Sequence, residues 1–180
     1  MYPILLDLGK FNLYTYGLFI ALGLLTAIWV SQWNAKAHNI APQMITDIFY
    51  VILISGLFGA RLLYVVINFE SYKSNLLDIF KIWNGGLVFF GGFLTAVVAT
   101  AFYLRLKQLD IWKTADIISP GIAIAHAVGR TGCFFAGCCY GKECDLPIAI
   151  KFVHPESLAP LGVYLHPTQI YSVFSNIVLF

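Results

Sequence analysis

An arginine embedded in an apolar run, a histidine four positions before it and a thiol three positions after it form the most reactive grouping in this sequence. His126, Arg130 and Cys133 are spaced i, i+4 and i+7, so a continuous helix puts all three on one face. An arginine at mid-membrane depth costs at least ~2.5–3.5 kcal/mol on insertion scales, so it faces the interior of a bundle or a polar cavity. A guanidinium stays charged there and binds phosphate or carboxylate through two parallel hydrogen bonds. Arg130 is therefore a candidate clamp for an anionic group, and His126 a candidate acceptor for a thiol proton near neutral pH. The bland readings stand beside these: an arginine bonded to backbone carbonyls or a buried carboxylate, and an imidazole satisfied by a neighbouring helix. Arg61, within Gly56-Leu-Phe-Gly-Ala-Arg-Leu-Leu-Tyr64, carries the same two readings.

Glycines surround the arginine. Gly129, Gly132, Gly137 and Gly141 let backbone bend, approach a neighbour closely and present N–H groups. Gly85-Gly86 and Gly91-Gly92 bracket Leu87-Val-Phe-Phe90 and mark a second irregular stretch. Non-helical backbone at membrane depth is tolerated only inside protein or along a cavity, so two such stretches predict a polar chamber.

All four cysteines fall in the pattern C-x4-C-C-x4-C, at Cys133, Cys138, Cys139 and Cys144. A disulfide or inert packing comes first, since an oxidising compartment would allow Cys138 or Cys139 to pair with Cys144. Reactive thiols come second. Metal comes last, because zinc sites use C-x2–4-C pairs and a vicinal pair suits tetrahedral chelation poorly; no metal is assigned.

Positioning these groups falls to membrane helices. Of the 180 residues, 59% are hydrophobic and only 11% charged, against roughly 25% charged in a soluble domain. So few charges cannot cover a soluble surface, and a net charge of +2 is too small to suggest nucleic acid. The apolar runs predict an all-α, polytopic transmembrane helix bundle forming one integral membrane domain over residues 1–180. Four full spans are expected, at about 13–30, 46–67, 85–104 and 115–135, with an external loop at about 140–167. The run from Ile170 to Phe180 reads as the start of a fifth span. No basic region or small-residue cleavage site marks a secretion signal at the N-terminus. Arg105, Lys107 and Lys113 crowd one short turn, which by the positive-inside rule leaves the N-terminus external.

These residues also resemble a known family. Asp116-Ile-Ile-Ser-Pro120 followed by Gly129-Arg-Thr-Gly-Cys-Phe-Phe-Ala-Gly-Cys-Cys-Tyr-Gly141 resembles the signature of prolipoprotein diacylglyceryl transferases. So do Tyr16-Gly-Leu18, Gly59-Ala-Arg-Leu-Leu-Tyr64, Gly85-Gly-Leu-Val-Phe-Phe-Gly-Gly92 and His166-Pro-Thr-Gln-Ile-Tyr171, in family order. The resemblance implies a multi-pass enzyme of the bacterial plasma membrane with a central, lipid-accessible polar chamber. It would move the diacylglyceryl group of phosphatidylglycerol to the lipobox cysteine of a prolipoprotein, without metal or organic cofactor. Arg130 matches the family's essential arginine and Tyr16 a tyrosine near the chamber. With them, Arg61, Gly91, Gly92, Gly129 and Gly132 make up the candidate substrate-binding set. The chain departs from the family pattern at Phe90, where histidine or tyrosine is common, and at Cys133 and Cys138, where asparagine and glutamate are common. The rival expectation is a membrane thiol-redox or lipid-binding relative without transferase activity.

Overall fold

The computed structural model describes residues 2–7, 12–73 and 76–180. Part of the N-terminal stretch read for a secretion signal lies outside these residues. The fold is all-α and of the membrane helix-bundle class. A short antiparallel pair, β1 (Ile4–Asp7) and β2 (Asn12–Tyr14), leads into α1 (Thr15–Ala37) and α2 (Pro42–Ile67). After α3 (Phe69–Tyr72) and two tight turns at Leu76–Phe80 and Ile82–Asn84 come α4 (Phe89–Leu106) and α5 (Ile111–Ala136). A two-residue ladder, β3 (Ile150–Lys151) with β4 (Tyr164–Leu165), precedes α6 (Thr168–Leu179). The chain forms two compact units, one of residues 1–34 and 116–180, the other of residues 35–115.

Among the described residues, three helices are long and apolar enough to cross a membrane: α1, α2 and α4. The segment expected as a fourth span, at about 115–135, lies within the 26-residue helix α5, which is not among these three. It is less apolar than the others because His126, Arg130 and Thr131 lie along it. Pro120 sits inside α5 without breaking it. Proline has no N–H to offer the carbonyl of Asp116, and the Ser119 hydroxyl donates to that carbonyl instead, at 3.1 Å. The helix runs on unbroken through Gly129 and Gly132, which differs from the bend expected there.

In the unit of residues 35–115, α2 and α4 meet backbone to backbone. A Cβ on Gly59 would lie 2.6 Å from the Gly91 carbonyl, and one on Gly92 would lie 2.7 Å from the Gly56 carbonyl. Gly91 itself packs on the Gly59 carbonyl and Leu63. Small residues let membrane helices approach this closely, and packing rather than hydrophobic exclusion holds them. The irregular backbone expected over 85–92 is thus confined to its first half. Gly85 and Gly86 hold φ of 78°, whereas Gly91 and Gly92 lie in the first turn of α4. Gly91→Val is expected to destabilise by about 1–3 kcal/mol or more, because it would run into the Gly59 backbone carbonyl and the Cβ of Leu63, neither of which is the free end of a flexible side chain. A thermal unfolding midpoint in detergent equal to wild type would contradict this.

The loop predicted over 140–167 has a small core of its own, made by buried Phe152, Ala159 and Leu165 with Val163 against them. The Leu158 N–H donates to the Ala136 carbonyl at 3.1 Å, tying this cap to the end of α5. The Phe152 ring meets Phe134 of α5 edge-on, with centroids 6.4 Å apart.

Candidate active site

Within the unit of residues 1–34 and 116–180, α1 and α5 cross at small residues. A Cβ on Gly132 would meet the Cβ of Phe19 at 2.7 Å and the Cα of Tyr16 at 3.5 Å, and one on Gly23 the Ala125 carbonyl at 2.9 Å. Gly129 has only an ordinary 3.6 Å approach to Ile20. This crossing brings Tyr16 to the end of α5. Tyr16 lies within electrostatic reach of Arg130, Cys133, Cys138 and Cys139, and Cys133 within reach of Arg130, Cys138 and Cys139.

Arg130 is half-buried, and its Nε is buried without a hydrogen-bond partner. A buried guanidinium nitrogen left unpaired is costly, and native structures leave few such groups. Neither bland reading, backbone carbonyls or a buried carboxylate, holds for Arg130 among the described residues. An anion would supply the missing acceptor.

Arg61 contrasts with it at every donor. Its Nε donates to the Ile79 carbonyl at 2.7 Å. One terminal nitrogen serves Gly85 and Gly86 at 2.7 and 3.1 Å, and the other serves Asp78 and Lys81 at 2.7 and 3.2 Å. Five carbonyls use the five N–H groups a guanidinium has, and the residue is only 7% exposed. The guanidinium also lies over the Tyr64 and Tyr72 rings, at 5.7 and 5.6 Å. Arg61, expected among the substrate-binding residues, organises the loop between α2 and α4 and has no donor left for a ligand. Gly91 and Gly92, from the same set, pack α4 on α2.

His126 is exposed, and its Nδ1 lies 3.1 Å from the Asn176 side-chain oxygen of α6. The Asn176 amide nitrogen donates to the Ser172 carbonyl at 2.6 Å, which orients the amide oxygen as the acceptor. Nδ1 then carries the hydrogen, and Nε2 of the neutral ring is left as a proton acceptor. The imidazole is thus held by a neighbouring helix, and no hydrogen bond links it to a thiol.

All four cysteines are unpaired, so the disulfide to Cys144 is not formed. The chain reverses at the end of α5 through Gly137 (φ 75°), where a left-handed residue closes a helix as glycine does most easily. This returns the Cys138 N–H to the Cys133 carbonyl at 3.1 Å. The Cys133, Cys138 and Cys139 sulfurs then lie within 4.8 Å of one another. Burial, reinforced by Cys133 and Cys139, pushes the Cys138 thiol up to about 12. A redox-active thiol needs the opposite shift.

Two further features escaped the sequence reading. The turn is held from below by the start of α6: Gln169, fully buried, donates to the Cys138 carbonyl at 2.7 Å, and Thr168 to the Cys139 carbonyl at 2.6 Å. This gives the His166-Pro-Thr-Gln segment a structural role. Glu156, from the cap, lines a cavity of about 390 Å³ together with Tyr16, Gly17 and Cys138. Glu156 is itself exposed. No local pattern around Glu156 distinguishes it; only the folding of the cap brings it there.

Comparison with known proteins bears on this arrangement. The family model for prolipoprotein diacylglyceryl transferase matches residues 3–180. A phosphatidylglycerol–prolipoprotein diacylglyceryl transferase of Clostridium tetani is 35% identical over 99% of this chain and 71% of its own length. Proteins of the same name from Thermosynechococcus vestitus and Streptococcus pneumoniae are 33% and 34% identical, over 97% and 99% of this chain and 66% and 68% of theirs. The chain therefore spans about two thirds of the length of these relatives.

Proposed function

The chain belongs to the prolipoprotein diacylglyceryl transferase family, and we propose that it transfers the diacylglyceryl group of phosphatidylglycerol to the lipobox cysteine of a prolipoprotein, at the bacterial plasma membrane. The observation that carries this reading is the buried, unpartnered Nε of Arg130, within electrostatic reach of Tyr16. In the reaction the thiol sulfur attacks the glycerol carbon that bears the phosphate. A C–S thioether bond forms, the C–O bond breaks, and glycerol phosphate leaves. The phosphate passes from a diester with one negative charge to a monoester approaching two. A guanidinium placed there binds the departing group more tightly than the lipid head group, which is how a clamp raises rate and not only affinity.

The thiol proton must also go somewhere. His126 is our candidate acceptor, and Asn176 is the residue that holds its ring. Tyr16, Gly129 and Gly132 shape the lipid-accessible side of this site. The cavity lined by Tyr16, Cys138 and Glu156 is largely apolar, as room for an acyl chain beside the site requires. The topology we propose keeps the N-terminus external, with Arg105, Lys107 and Lys113 on the cytoplasmic side.

The test supplies phosphatidylglycerol and a lipobox peptide to the full-length protein in detergent or bilayers. Mass spectrometry should find the peptide heavier by one diacylglyceryl group, and only when its cysteine is intact. No thioether product, with a relative of the same family active in parallel, would overturn the reading.

A further inference from the structure

We infer that Cys133, Cys138 and Cys139 form a binding site for one soft, thiolate-preferring metal ion. The C-x4-C-C spacing argues against chelation only while the segment is taken as extended chain or as continuous helix. The structure has neither. Cys133 occupies the last turn of α5, Gly137 reverses the chain, and Cys139 itself adopts φ of 58°, unusual for a residue with a side chain. These torsions, and not the spacing, direct three sulfurs to one place.

The distances suit a metal. Metal–thiolate bonds of about 2.3 Å set sulfurs roughly 3.8–4.0 Å apart around a shared ion. The three sulfurs already lie within 4.8 Å of one another, so an approach of at most about 1 Å closes the set. The backbone beneath is fixed: Gln169 and Thr168 hold the carbonyls of Cys138 and Cys139. The Gln169 Oε1 is buried without a partner, so an acceptor stands free beside the turn. Three sulfurs with no carboxylate or imidazole in the set select copper(I), zinc or cadmium over magnesium or calcium. Binding a divalent ion replaces three thiol protons with one metal, giving an M(SR)3 centre of charge −1 and three released protons. The Arg130 guanidinium, within reach of Cys133, offsets that charge. Cys138 lines the cavity, so an ion has a route in.

The experiment titrates the reduced, full-length protein in detergent with cadmium(II) and follows the ultraviolet thiolate-to-cadmium charge-transfer band. Saturation at one equivalent is expected, with zinc(II) competing for the same site. Cys139→Ser changes an exposed residue and should leave the fold intact; it should weaken binding roughly tenfold or more. Cys144→Ser lies outside the cluster and should bind as wild type does. Absence of a saturable band would overturn the inference, as would equal binding in Cys139→Ser or its loss in Cys144→Ser. The readout involves no lipid, so its failure leaves the transferase reading of Arg130 untouched.

Discussion

Arg130→Ala is expected to lower diacylglyceryl transfer by about 100- to 1000-fold, the range for loss of one preorganised charge-stabilising donor, while leaving the thermal unfolding midpoint unchanged. The two halves of this expectation have one origin. Arg130 has no hydrogen-bond partner in the described protein, and its Nε is buried. Its removal breaks no hydrogen bond to the described residues and relieves a desolvated donor. What is lost is the stabilisation of charge that develops on the leaving phosphate. Arg130→Lys should recover only part of the rate, because an ammonium keeps the charge but not the paired N–H geometry. Kinetics with phosphatidylglycerol as the varied substrate decide the matter. A fall in kcat marks a transition-state clamp, and a rise in KM alone marks simple lipid binding. Unaltered turnover in Arg130→Ala would end the assignment.

Arg61→Ala is expected to behave in the opposite way, with the unfolding midpoint falling sharply. A charge-assisted hydrogen bond contributes about 1.5–3 kcal/mol, and Arg61 makes five, all to the segment joining α2 to α4. Such bonds are not additive, but loss of a buried, fully engaged charge costs on the order of 3–5 kcal/mol. That is a large part of the 5–15 kcal/mol that holds a typical protein folded. Arg61→Lys should fall nearly as far, since one nitrogen with three donors cannot serve carbonyls on both sides of a planar fork. The measurement is the midpoint in detergent together with yield from membranes. An Arg61→Ala protein that melts like wild type yet fails to turn over would make Arg61 a substrate ligand after all.

The two arginines look alike in sequence, each an unexplained charge in an apolar helix beside glycines. Hydropathy marks both because a guanidinium at membrane depth is costly whatever it later pairs with. It cannot separate them, because the partners of Arg61 lie 17–25 residues further along the chain. They exist only once Gly85 and Gly86 take positive φ and fold that loop back. The glycines divide in the same manner. Composition marked them as places where backbone comes close, yet Gly91 and Gly92 pack a helix pair while Gly132 brings Tyr16 to α5.

Membrane residence, the all-α class and the shared face of His126, Arg130 and Cys133 were legible from residue order alone. They follow from side-chain transfer energies and the 3.6-residue helical period, which are local quantities. The convergence of three thiols, the clamp of Gln169 and Thr168 on their turn, and the arrival of Glu156 at the cavity were not legible. These depend on one left-handed reversal at Gly137 and on the packing of the cap against α5. Such contacts close between residues distant in the chain, where linear spacing carries no distance information.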